Sequence, residues 1–382
     1  PSGTLIEAVG SGLRSMTPAT INSKDLRIIF QQAPGVPLKL QPKSADSKGA
    51  NVSSLFLVSE GSLELTNASI EASSVARPGN PSWLVESTNS TLVFNGCRLQ
   101  GSDTDASQHR GLIRWMTTIP ILNNLRTPTL ICMDSYLASI GCGIRVEAEQ
   151  GNLILKNSII AIRGDGLDLR PVRSGAMIRP ALLAEQVTFS CTGSAIRFQA
   201  DVTSSDVVTS PMRLFVERCM VAPPLVFTPG EGGQSTFVKL VGPVLQQKQI
   251  EWCGISNGVA TQVVHLLHRN GDPNVASEAT GINDWNKTWK DAIEERLLTG
   301  DKGIYLNLTT LPDKWSKLQP VSFELHPKSA ASTWAEGGLP IGADVRIVGA
   351  AVLAKRASMR PTVVPKEDLK TKPVLPKRGV GF

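Results

Sequence analysis

The chain has 382 residues, a formal net charge of +6 and 41% hydrophobic residues. That apolar share is enough for a core, yet no apolar run approaches the roughly 18–20 residues that cross a bilayer, so a membrane-spanning segment is excluded. Aromatic residues make up only 5%, and no basic stripe interleaves with them, which argues against nucleic acid as a partner. The first residue is Pro1 and no basic-plus-apolar leader follows it, so the chain reads as a processed protein or a piece of a longer one.

Residues 1–53 read as an irregular N-terminal cap with a first coil, carrying short strands at Leu26 to Phe30 and Leu38 to Leu40. From there to residue 260 an eight-residue phrase keeps returning. Its copies run Leu63 to Ile70, Leu92 to Leu99, Leu130 to Leu137, Leu153 to Ile160, Leu182 to Phe189 and Leu214 to Val221, with a worn copy at Lys248 to Ile255. Positions one, three, six and eight are apolar or small. Position six reads Ala68, Cys97, Ser135, Ser158, Val187, Cys219 and Cys253. A residue set that exchanges Cys for Ala, Ser and Val calls for a small buried side chain rather than a metal ligand, and no Cys/His grouping has zinc spacing. Starts lie 29, 38, 23, 29, 32 and 34 residues apart, a period that belongs to stacked coils.

Within each period the fragments alternate faces every two residues, as strands do. A second short strand precedes many copies, at Leu55 to Val58, Trp83 to Val85, Ile144 to Val146, Ile196 to Phe198 and Phe237 to Leu240. Like positions recurring about every 30 residues favour parallel stacking of equivalent strands over hairpins. Stacking then puts Leu63 near Leu92 and Leu130 near Leu153 in apolar columns, each buried side chain contributing roughly 1.5–3 kcal/mol. Asn67, Asn157 and Asn95 are candidates for a ladder of corner amides. The interval from Gly101 to Thr129 is an insertion holding Asp103, Asp105, His109 and Arg110, a solvated loop.

One cluster could carry chemistry: Arg163-Gly164-Asp165-Gly166-Leu167-Asp168-Leu169-Arg170. Leu167 and Leu169 share one face of a strand, so Asp168 points to the other, and Asp165 occupies the glycine turn before it. Two carboxylates with two arginines are suited to contact a glycan or an ion, or to acid/base work on a sugar. The plainer reading is a turn aspartate beside a strand aspartate paired with arginine.

Residues 261–350 change character. The run 284–296 reads as a helix with Trp285, Trp289 and Ile293 on one face, capped by Asn283 or Asp284, and it would close the open end of the stack. The tail, residues 351–382, holds eight basic residues, Lys355, Arg356, Arg360, Lys366, Lys370, Lys372, Lys377 and Arg378, against Glu367 and Asp368. It therefore carries the whole charge excess, and its prolines predict an extended segment. Lys366, Lys370, Lys372, Lys377 and Arg378 could tether an acidic partner electrostatically.

The recurring L-x-L-x-N-[small]-x-I phrase resembles that of the right-handed parallel β-helix of the pectin-lyase-like family. So does the closing string Phe323-Glu324-Leu325-His326-Pro327-Lys328-Ser329-Ala330-Ala331 followed by Gly337-Gly338-Leu339-Pro340-Ile341-Gly342-Ala343-Asp344, with Ala330 where Pro is usual. A narrower likeness, through Asp284-Trp285-Asn286 and the Gly-Ala-Asp finish, is to β-helix regions that follow serine/threonine kinase domains in planctomycete-type bacteria. The first likeness implies an all-β solenoid with an elongated binding face. It also implies either a recognition module for protein or glycan, or a polysaccharide lyase or glycoside hydrolase. The Gly-His-Gly and Arg-x-Lys strings of polygalacturonase-like enzymes are absent, and so are kinase motifs. The expectation is a non-catalytic module of a larger bacterial protein or assembly, extracytoplasmic or at the cell surface, without metal or cofactor.

Overall fold

In the computed structural model, residues 3–32, 38–42, 54–72, 82–101, 110–117, 127–148, 150–170, 181–199, 211–223, 235–245, 249–269, 276–279, 282–288, 293–301, 304–308 and 315–349 are described. The basic tail, Trp289 and the Asp103, Asp105 and His109 loop lie outside them.

The chain winds as a right-handed parallel β-helix whose three faces are ten-stranded sheets. Each coil contributes one strand to sheet A, one to sheet B and one to sheet C in that order, as in Ser62–Thr66, Ser69–Glu71 and Trp83–Thr88. Register is like-for-like: Leu26, Leu63, Leu92, Leu130, Leu153, Leu182, Leu214 and Trp252 form one sheet A column. Positions one and three of the phrase point into the lumen. Leu63, Leu65, Leu153 and Leu155 are fully buried, while the residues between them face outward.

The A-to-B corner is made by the residue at position five in left-handed conformation. Asn67 (φ 59°), Gly96 (61°), Asp134 (50°), Asn157 (42°), Gln186 (56°), Arg218 (51°), Ser256 (53°) and Arg296 (60°) all adopt it. One such residue swings the chain from one face to the next without an insertion. For a side-chain-bearing residue this costs about 1–2 kcal/mol. The corner N–H groups offset it by bonding the next coil, as in Asn67 N to Asn95 O (2.8 Å) and Arg218 N to Ile255 O (2.9 Å). The column is thus a ladder of backbone conformation more than of amides. Asn157 Nδ2 does donate to Asp134 Oδ1 (2.7 Å), but Asn95 sits one position early, on the outer face.

Position six is small for a hydrogen-bonding reason. Its side chain reaches back one coil, donating to the position-three carbonyl and accepting the position-six N–H. Ser135 Oγ donates to Phe94 O (3.3 Å) and accepts from Cys97 N (3.2 Å). Ser158 Oγ does the same to Cys132 O (3.4 Å) and Ser135 N (3.1 Å). Cys97 and Cys219 make the donor half, to Leu65 O and Ala184 O. Burial raises the thiols of both to about 12.

Three sequence expectations are corrected. The last phrase begins at Trp252, not Lys248: Leu214 pairs with Trp252, position six is Asn257, and Cys253 faces outward. Asn257 performs the full device, Nδ2 to Val216 O (2.8 Å) and Oδ1 from Cys219 N (2.9 Å). Second, the N-terminal section carries regular coil structure. Thr4–Gly10, Gly12–Met16 and Ala19–Asn22 pair in parallel with the strands of the next coil. Being outermost, they leave Leu5, Ile6, Val9 and Leu13 exposed and so lose the burial contrast that marks inner coils. Third, the helix α1 spans only Ile282–Thr288, and Ile293 lies in a strand, Ile293–Glu295, that extends sheet A beside Cys253–Ile255. Pairing with an open sheet edge satisfies backbone groups that a free helix end would leave bare.

Both ends of the story of closure are visible at the C-terminal side. Trp285 of α1 is fully buried, stacked on Phe237 (5.4 Å) and edge-on to Trp252 (5.2 Å). Ala276–Ala279 runs antiparallel to Val264–Arg269 and ends sheet C. Residues 315–349 then turn back as a strap over sheet B. Gly342 N bonds Arg218 O, Ala343 N bonds Thr188 Oγ1, Asp344 N bonds Asn157 Oδ1 and Gly349 N bonds Asp134 O, stepping down the corner ladder coil by coil. Trp315 Nε1 donates to Ala161 O (2.6 Å), and Phe323 packs between Tyr136 and Tyr305. Sheet B strands such as Ile159–Ile162 are therefore buried on both faces.

Candidate functional site on the outer face of sheet C

Sheet C carries a run of charged residues on its outer face. Register brings Glu86, Arg114, Arg145, Asp168, Arg197 and Lys239 into one outward column. Two residues further along the strands stand Glu147, Gln199 and Arg269.

Of the residues singled out by sequence, Asp168 and Arg170 are brought together, while Asp165 engages a separate set of partners. Asp168 is 1% exposed. Its Oδ2 accepts from Arg145 Nε (2.9 Å) and Arg170 Nε (2.9 Å), with Arg170 Nη2 at 2.8 Å. Its Oδ1 is buried without a hydrogen-bond partner among the described residues. Asp165 Oδ1 accepts from Ser194 N (2.9 Å) and so braces the next B-to-C turn, while Oδ2 meets Arg197 Nη1 at 3.5 Å. Arg163 is exposed in the turn, its backbone N–H bonded to Ser139 O (2.8 Å).

The tight turns around this cluster require glycine. A Cβ on Gly143 would lie 2.4 Å from Gly166 O, and one on Gly164 2.3 Å from Gly141 O. The recurring Gly-x-Gly strings therefore let neighbouring turns touch, which is an architectural role.

Sequence reasoning missed Arg145, Arg197, Lys239 and the Arg114 bridge to Glu86 (2.9 Å) and Glu147 (2.7 Å). The signal was present: each occupies the strand position of Asp168 in a neighbouring coil. Arg145 also lies over the Trp83 ring at 5.2 Å, a stacking that orients its guanidinium. Burial, with Arg269 and Arg197 nearby, draws the Lys239 ammonium below its ordinary range, and Asp165 opposes this.

Chemically, both carboxylates are committed to arginines or backbone, so neither stands as an unattached proton carrier. Four partly exposed cations, Arg145, Arg170, Arg197 and Lys239, surround two carboxylates. Among the described residues no group of three or more His, Cys, Asp or Glu could hold a metal ion, and no helix is long and apolar enough to cross a membrane. No family model matches the chain, and no curated protein or solved structure matches it.

Proposed function

We propose that the chain is a non-catalytic recognition module that binds an acidic polymer, foremost an anionic glycan, along the outer face of sheet C. One observation carries this reading: a column on sheet C in which Arg114, Arg145, Arg197 and Lys239 stand in register with Glu86 and Asp168, both of them already paired with arginine. Guanidiniums bind carboxylate or sulfate groups in planar, two-pronged fashion. Strand spacing of about 4.8 Å presents them along a line that an extended polymer can follow. The pectin-lyase-like resemblance supports a glycan as the polymer. The likeness to bacterial kinase-linked β-helices supports a place within a larger surface-associated assembly. The alternative, a lyase or hydrolase acting through Asp165 and Asp168, is disfavoured by the engagement of both side chains.

Binding and turnover on a panel of acidic polysaccharides, with and without calcium, test this. Saturable binding without product, weakened by salt and by Arg197→Gln, is the expected outcome. Chain cleavage abolished by Asp168→Asn would replace the recognition reading with the enzymatic one. Absence of binding to every acidic polymer would refute both.

A further inference from the structure

Sheet A carries a surface that the repeat does not require. Position two faces outward, yet in six successive coils it is apolar: Val93, Ile131, Ile154, Leu183, Phe215 and Cys253, aligned by strand register, and Ile293 continues that register in the next coil. All six are half-buried and none belongs to the core cluster. On the N-terminal side the stripe ends at the Arg27–Glu64 ion pair (2.9 Å). At strand spacing it is about 24 Å long. Water-facing sheet surfaces ordinarily alternate apolar-in with polar-out, and a continuous stripe of this kind marks a contact site.

We propose that this face of sheet A is the interface of a homodimer, two copies packing stripe to stripe about a two-fold axis that runs along the strands between the coils of Ile154 and Leu183. Symmetry and charge single out a second copy as the occupant. About that axis Ile154 faces Leu183, Ile131 faces Phe215 and Val93 faces Cys253 of the other copy, and beyond them Ile293 falls at the register of the other copy's Glu64. The flanking position-four column then sets Lys156 opposite the other copy's Glu185, twice. Within one copy these two already lie 3.1 Å apart, with side chains 43% and 30% exposed, so each can be shared across the interface. A glycan fits poorly, because Phe215 is the single aromatic ring in the stripe. Six strands of five residues present on the order of 500 Å² per copy, about 1,000 Å² for the pair, the lower end for a specific interface. The dimer is accordingly weak and concentration-dependent. Sheet C lies on a different face, so the pairing stands or falls independently of polymer binding.

Sedimentation equilibrium of the full chain over a concentration series tests the proposal. Reversible dimerisation is expected. Leu183→Glu should weaken it roughly a hundredfold, a factor of ten at each symmetry-related copy, with the melting temperature unchanged. Lys156→Glu should weaken it, and the exchange Lys156→Glu/Glu185→Lys should restore it. A wild-type chain monomeric at every concentration, or a dimer untouched by Leu183→Glu, would overturn the proposal.

Discussion

The lumen of the last coils contains two ionisable groups that should pull stability in opposite directions with pH. Glu294 occupies position three, an inward position, and lies against Gly254, where a Cβ would collide with its carboxylate. Trp252 Nε1 donates to its Oε2 (2.7 Å) and Asn257 Nδ2 to its Oε1 (3.0 Å). Burial raises its pKa from 4.5 to about 7, against the lowering effect of those two donors. The folded state therefore binds this proton more tightly than the unfolded state. Its contribution is full below pH 4.5 and is lost as pH rises through 7. A shift of this size corresponds to at most about 3 kcal/mol. His265, buried near Trp285 with neither ring nitrogen hydrogen-bonded among the described residues, has its pKa lowered by burial. Its contribution is present above its unfolded value of about 6.5 and is lost as pH falls through the folded value.

The two slopes oppose one another just below pH 6.5, so the wild-type profile there should be shallow. Glu294→Gln should expose the His265 slope, with stability falling towards acid, and should remove the decline that ends near pH 7. His265→Leu should expose the Glu294 slope, with stability falling towards alkali. Urea denaturation followed by far-UV circular dichroism at half-unit pH steps reads these curves. Amide exchange at Ile250–Ile255 and Ile293–Glu295 locates the effect. Parallel profiles for wild type and Glu294→Gln across pH 5–8 would refute a buried, proton-binding Glu294.

Asp168→Asn should destabilise by about 2–3 kcal/mol in denaturant titration, since Arg145 and Arg170 lose a shared partner that is almost fully buried but remain partly solvated themselves. Asp165→Asn, more exposed, should cost about 1 kcal/mol or less by the same measurement. Asn257→Leu strips partners from Cys219 N, Val216 O and Glu294 at once and should cost about 3 kcal/mol, far more than Ser158→Ala at about 1 kcal/mol. Phe323→Ala removes a ring held between Tyr136 and Tyr305 and should cost about 3–5 kcal/mol. Limited proteolysis should then cut first within residues 315–349.

Much of the coil was legible because inner strands carry two-sided evidence. Leu153-x-Leu155 must bury alternate residues, and repetition fixes which residues stack. Signals failed where a neighbour is missing or the chain serves another contact. Among the described residues the first coil pairs on one side only, and there Leu5 and Val9 are exposed and break the alternation. Trp285 and Ile293 happen to share a helical spacing, but Ile293 is claimed by the free edge of sheet A. Lys248 gave an acceptable phrase four residues early, and only pairing with Leu214 selects Trp252.

Local sequence determined the winding itself: two-residue alternation, a left-handed corner and a small residue after it repeat within each coil and need no distant partner to be recognised. Tertiary structure decided everything that depends on residues from different coils meeting. The charged column on sheet C, the apolar stripe on sheet A, and the strap from Trp315 to Gly349 over sheet B arise between positions 23 to 221 residues apart. The physical reason is that lateral neighbours in a parallel stack are set by register, and loops of varying length between coils hide that register from any fixed period.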